Sequence, residues 1–194
     1  MDDDRLTSIV EFLQSAEALK DTLRSGHTGH GRAESVAEHS WRLTLLVLLL
    51  RDEMQGIDVL HLIELCIIHD LGEAIGGDVP APLQFNDPNR AEREHADFRT
   101  LCEGLPVDLR DRLVSLHREY ERGETPEAVM AKGLDKIETI LQHVKGANAA
   151  DFDHGFNLHY GQDRTEKTFL LRALRSIVDD RTRASIEAQK EGAP

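Results

Sequence analysis

Residues 67–78 read IIHDLGEAIGGD, which sets one histidine and three acids, Asp70, Glu73 and Asp78, among Ile, Leu, Ala and Gly. Apolar neighbours of this kind predict burial, and buried carboxylates are costly unless a positive charge neutralises them. On a helix, His69 and Glu73 stand four residues apart and share a face, with Asp70 about 100° around. Gly76-Gly77 stops that helix, and its turn can bring Asp78 back toward the same place. Imidazole and carboxylate together suit Zn, Mn, Fe, Co or Ni rather than a purely oxygen-liking cation. A histidine–aspartate pair taken alone is more often a surface or capping feature.

Two further segments carry the same signal. His39 lies in ESVAEHSWRL, near the buried stripe of Val36, Leu43 and Leu46, and Asp135 lies in KGLDKIETILQ among Leu134, Ile137 and Leu141. Each has an ordinary explanation: His39 as a hydrogen-bonded core residue, Asp135 as the partner of Lys132 or Lys136. Together these explanations require several independent buried polar residues. Arg24 and Arg32 flank the histidine-rich stretch SGHTGHGR, and a guanidinium fork matches phosphate oxygens in pairs. Arg32 is equally suited to a salt bridge with Glu34 or Glu38.

The elements that must position these residues read as helices. Apolar residues at helical spacing predict helices over Leu6–Leu23, Glu34–Met54, from Asp58 as cap to Gly76, from Asp87-Pro88 onward, Pro106–Arg122, Pro126–Val144 and Asp163–Arg183. The last begins DRTE, a capping-box pattern. No segment shows a convincing period of two. The expected fold is all-α, one domain over residues 1–194 with roughly seven helices and a weakly tethered tail after Ile186. The stretches 25–32 and 151–163 lack periodicity and are read as loops, either closing over a ligand or connecting helices.

Composition narrows the partners. Lys and Arg number 23 against 36 acids, a formal charge of −13, which disfavours nucleic-acid polymers and anionic membranes but permits a small phosphorylated molecule at a local cation. The two cysteines, Cys66 and Cys102, form no CxxC pair and suit a reduced compartment. The N-terminus MDDDRLTSIVEFL is acidic where a signal peptide is basic, and the longest apolar run, LTLLVLLL, is short of a membrane span. The expected setting is the cytoplasm.

ESVAEHSWR, IIHDLGEAIGGDVPAP and KGLDKIETILQ, within residues 24–145, resemble the metal-dependent phosphohydrolases of the HD-domain superfamily, and more closely their bacterial 5′-deoxynucleotidase branch. The resemblance implies a helical fold, usually a homodimer, and hydrolysis of phosphate monoesters, here the 5′-phosphate of (deoxy)nucleoside monophosphates. It implies one divalent ion (Mn, Co, Fe, Ni, Zn or Mg) held by His39, His69, Asp70 and Asp135, the positive charge that the acids require. Glu73 then orients or deprotonates the water, and Asp78 serves proton transfer to the leaving 5′-oxygen. In that branch an Arg-Trp pair upstream of the first metal histidine contacts the nucleotide. An ungapped count gives Arg24-Ser25 here, so the arginine matches and the tryptophan does not. Trp41, the one tryptophan, is expected in the core. The same motifs are also compatible with a nucleoside triphosphate, alarmone or sugar phosphate as substrate, or with a non-catalytic metal- or ligand-sensing domain. Glu73 and Asp78 disfavour the last, because metal binding alone needs neither.

Overall fold

The computed structural model describes residues 2–81 and 89–191. In chain order the elements are α1 (Asp3–Ala16), strands β1 (Leu23–His27) and β2 (Ala33–Ser35), α2 (Val36–Leu50), α3 (Val59–Ile68), the one-turn α4 (Glu73–Gly76), α5 (Arg90–Leu101), α6 (Val107–Arg122), α7 (Pro126–Lys145), the one-turn α8 (Gln162–Thr165) and α9 (Phe169–Glu191). Seven of these helices have ten residues or more, in accord with an all-α reading. The predicted start at Asp87-Pro88 lies outside the described residues.

Helix starts follow local chemistry. The Ser35 hydroxyl accepts from Glu38 N–H while the Glu38 carboxylate accepts from Ser35 N–H, a complete capping box on α2. The Asp58 carboxylate accepts from the backbone of Leu60 and His61, and Thr125 caps α7 ahead of Pro126.

Four readings are corrected. The first helix starts under Asp2 and ends at Ala16, giving way to a 3₁₀ turn over Glu17–Lys20. LRSGH and AES pair as a small antiparallel hairpin, too short and too polar to show alternation. The third helix stops at Ile68: Leu71 N–H donates to Ile68 O (3.2 Å) and Glu73 N–H to Asp70 O (3.0 Å), so His69 and Asp70 sit in a tight i→i+3 turn before α4. The C-terminal helix predicted over Asp163–Arg183 divides at residues 166–168. Thr168, not DRTE, supplies the cap, its hydroxyl accepting from Leu171 N–H at 3.2 Å.

Trp41 is also misplaced by the sequence reading. The buried side of α2 carries Val36, His39, Leu43 and Val47. Two residues past His39 is about 200° around the helix, so Trp41 faces outward and is 66% exposed, with Leu45, Leu48 and Leu49 along the same side.

Helix α7 runs through the centre, packed against α2, α3, α6 and α9. One side buries Met130, Leu134, Ile137 and Ile140, and another buries Asp135, Glu138, Thr139 and Gln142. Helix α9 approaches it at Gly133, where a Cβ would stand 2.4 Å from Leu171 Cδ1. Arg175 of α9 then ties down the segment between the two helices. Its guanidinium donates to the carbonyls of Tyr160 (2.6 Å), Asn157 (2.8 Å) and Leu158 (2.8 Å) and to the Asp179 carboxylate (2.7 Å). Arg175→Met leaves the buried Asn157 carbonyl and its half-buried neighbours without this partner, and urea unfolding should show a loss of about 3–5 kcal/mol. Wild-type stability in this variant would show that the clasp is dispensable.

Candidate active site

Three parts of the fold converge. From α2, His39 is fully buried, with its Nδ1 against the Glu138 carboxylate and its Nε2 3.3 Å from Asp135 Oδ1 and 3.8 Å from Asp70 Oδ2. From the turn after α3, His69 Nδ1–H donates to the Cys66 carbonyl at 2.8 Å, which leaves its Nε2 bare, 2.9 Å from Asp70 Oδ2. From α7, Asp135 Oδ2 accepts from the Tyr120 hydroxyl (3.1 Å) and lies 2.9 Å from Lys136 Nζ. The Nε2 atoms of both histidines are buried and make no aligned hydrogen bond among the described residues. The donor atoms of His39, His69 and Asp70 all lie within 4.8 Å of one another. Burial disfavours charge on Asp70, but His69, His39 and Arg24 outweigh it and hold its pKa below the ordinary carboxylate value.

Arg24 enters from β1. Its Nη1 donates to Asp70 Oδ2 (3.4 Å), its Nη2 to the Thr139 hydroxyl (3.1 Å), and its Nε stands 3.6 Å from Glu34. Burial works against its charge, yet Asp70, Asp135 and Asp78 raise its pKa further above the usual arginine value. Glu73 opens α4 and is buried, with Oε2 unpaired; burial, with Asp70 and Asp78 alongside, pushes its carboxyl up to about 10. Asp78, returned by the turn at Gly77 (φ 76°), lines one cavity with Arg24, Ser25, Asp70, Glu73 and Asp135. Burial raises its pKa too, followed by opposing effects of Arg24 and Asp70. A wider cleft of about 520 Å³ opens on the other side of Asp70 and Asp135, walled by Tyr120, Lys132 and Arg164.

Arg32 does not join this assembly. It pairs with both oxygens of Glu38 on the surface, because β2 and the capping box of α2 hold that carboxylate beside it.

The sequence model of the HD domain matches residues 16–174. The chain belongs to the HD-domain family. Among similar proteins, the 5′-deoxynucleotidase HDDC2 of Homo sapiens is 31% identical over 137 residues, covering 70% of this chain and 66% of its own length, just under two thirds. The 5′-deoxynucleotidase hdd1 of Schizosaccharomyces pombe is 32% identical over 141 residues, covering 70% of each chain. A crystal structure from Magnetospirillum magnetotacticum MS-1, titled a predicted metal-dependent phosphohydrolase, shares the fold at a TM-score of 0.79. It is 24% identical and covers 98% of this chain and 100% of its own.

Within this HD domain, sequence reasoning passed over Glu138, whereas of the two lysines offered to Asp135 as an ion-pair partner it is Lys136 that stands beside it. Glu138 braces the far ring nitrogen of His39 and also holds Arg42, whose Nη2 donates to the Glu138 carbonyl at 3.2 Å. Its signal was available, since it stands three residues after Asp135 on the same helix. A carboxylate on the second nitrogen fixes the tautomer and orientation of a ligating histidine.

Proposed function

We propose that this HD domain is a metal-dependent phosphomonoesterase that removes the 5′-phosphate from (deoxy)nucleoside monophosphates, using one divalent ion held by His39, His69, Asp70 and Asp135. The observation that carries the reading is the pair of buried, unpartnered Nε2 atoms of His39 and His69 facing Asp70. Two bare imidazole nitrogens beside carboxylates fit a divalent transition ion, and the Glu138 and Cys66 contacts hold both rings in the ligating orientation. Such an ion, when bound, polarises the phosphate and makes water more acidic.

The remaining steps fall to the chain's own groups. Arg24, fixed by Asp70 and Thr139, binds the phosphate oxygens. Glu73, one turn from His69 and unpaired at Oε2, would be drawn back to its charged form by a divalent ion beside Asp70, and in that form orients the attacking water and takes its proton. Asp78, in the same cavity, passes a proton to the leaving 5′-oxygen. The relatives named 5′-deoxynucleotidase support the substrate class. The outward stripe Trp41, Leu45, Leu48 and Leu49 is where a second copy would dock in a homodimer. Free, buried Cys66 and Cys102 suit the cytoplasm, and no helix among the described residues is long and apolar enough to cross a membrane.

Purified protein incubated with a panel of phosphate esters and Mn, Co, Fe, Ni, Zn or Mg should release phosphate from nucleoside 5′-monophosphates. Release confined to triphosphates, alarmones or sugar phosphates, or none with any ion, would overturn the reading. With Ser25 where the related branch has a bulky indole, dAMP and AMP should be hydrolysed with kcat/KM within roughly tenfold, about 1.4 kcal/mol. A thousandfold deoxy preference would place that discrimination elsewhere in the pocket.

A further inference from the structure

His143 stands two turns beyond Asp135 on α7, with Thr139, the acceptor for Arg24 Nη2, midway between them. Residues at four-residue spacing share a helix face, so the Asp135 carboxylate, the arginine anchor and His143 follow one another along α7. The His143 ring is locked. Its Nδ1–H donates to Asn157 Oδ1 at 2.7 Å, and Asn157 is itself fully buried, with its carbonyl held by Arg175 at 2.8 Å. Phe152 packs edge-on against the ring at 5.0 Å between centroids.

An amide oxygen can only accept, so the proton resides on Nδ1 and Nε2 keeps a bare lone pair. Burial, reinforced by the Arg24 charge, holds the ring's pKa below the ordinary histidine value and keeps it neutral. The opposite ring edge faces Gly26, where a Cβ would stand 3.4 Å from Cδ2 and 3.8 Å from Nε2. With no side chain there, the edge reaches the cavity that also holds Arg24, Ser25 and Asp70.

None of the steps above uses this acceptor. A lone pair repels phosphate oxygens and needs a hydroxyl or N–H to satisfy it. A nucleotide that lies with its 5′-phosphate on Arg24 and extends along α7 past Thr139 brings its furanose next to His143. Its C3′ adjoins C4′, which carries the phosphate arm, so the 3′-hydroxyl is the nearer of the two hydroxyls.

We propose that His143 Nε2 accepts a hydrogen bond from the 3′-hydroxyl of the bound nucleotide, a specificity contact that rests on the nucleotidase reading. Both ribose and 2′-deoxyribose carry that hydroxyl, so the contact recognises a nucleoside sugar without choosing between them.

The test is kcat/KM for AMP, 2′-deoxy-AMP and 3′-deoxy-AMP in wild type, His143→Leu and His143→Gln. Wild type should disfavour 3′-deoxy-AMP by roughly tenfold to a hundredfold against both other substrates. His143→Leu should bring the three close to parity, and His143→Gln, which can place an amide oxygen near the Nε2 position, should restore part of the difference. Equal wild-type rates on AMP and 3′-deoxy-AMP overturn the contact without any variant having to fold. A preference that survives in His143→Leu, or a loss that follows the 2′-hydroxyl, overturns it as well. A wild type that hydrolyses no nucleoside monophosphate overturns the underlying reading, and this contact with it.

Discussion

His69→Ala is expected to yield folded protein that retains no tightly bound transition metal and releases no phosphate above background. The imidazole contributes one of two bare nitrogens in the cluster, and its removal leaves Asp70 and Asp135 with His39 as the single imidazole ligand. Imidazole ligands favour borderline transition ions over oxygen-liking ones, so losing one of two weakens the site well beyond a proportional share. The fold should persist, because the side chain's described backbone contact is a single bond to the Cys66 carbonyl at the end of α3. Metal analysis of the purified variant together with its circular dichroism checks both halves. A full equivalent of tightly held transition metal in His69→Ala would show that the ligand set is wrong.

Glu73→Gln separates binding from chemistry. Glu73 faces the cluster from α4 but its oxygens lie outside the group formed by His39, His69 and Asp70, so the variant should keep its metal. The amide preserves shape and removes the carboxylate that a bound ion would hold in its charged, proton-accepting form. Turnover should therefore fall by roughly two or more orders of magnitude while the metal content stays near wild type. Single-turnover kinetics on the best nucleotide, set beside metal content, reads the two effects apart. Near wild-type turnover would remove Glu73 from the mechanism.

The candidate ligands were legible because each is a polar residue set among or beside apolar residues that helical spacing predicts to be buried, a signal that needs no coordinates. Arg24 and Arg32 were read by position alone, and there the sequence could not decide. The hairpin turns one of them inward onto Asp70 and the other outward onto Glu38. Periodicity also cannot register the change from α-helical to i→i+3 bonding at Ile68, since LHLIELCIIHDLGEAI keeps its apolar spacing through the break. That break keeps His69 and Glu73 near one another while moving them onto separate elements. Trp41 was assigned to the core on residue type, although its position relative to His39 already put it on the opposite side of α2. His143 carried no sequence signal, because its partner Asn157 lies in the aperiodic stretch that Arg175 organises.

The enclosure of α7 on every side has a consequence for how this protein can change over time. The helix that bears Asp135, Thr139 and His143 is also the one against which Leu134, Ile137 and Ile140 pack. In a close-packed interior a shift of one methylene is transmitted rather than absorbed, so robustness and turnover are wired through the same rod. Substitutions that tune thermal tolerance through α7 will move the reacting groups, and adjustments to the reacting groups will be felt as altered thermal tolerance. Independent adaptation of substrate choice is left to the hairpin and to the residues between α7 and α9, where the polar walls of the pocket can vary without disturbing the rod.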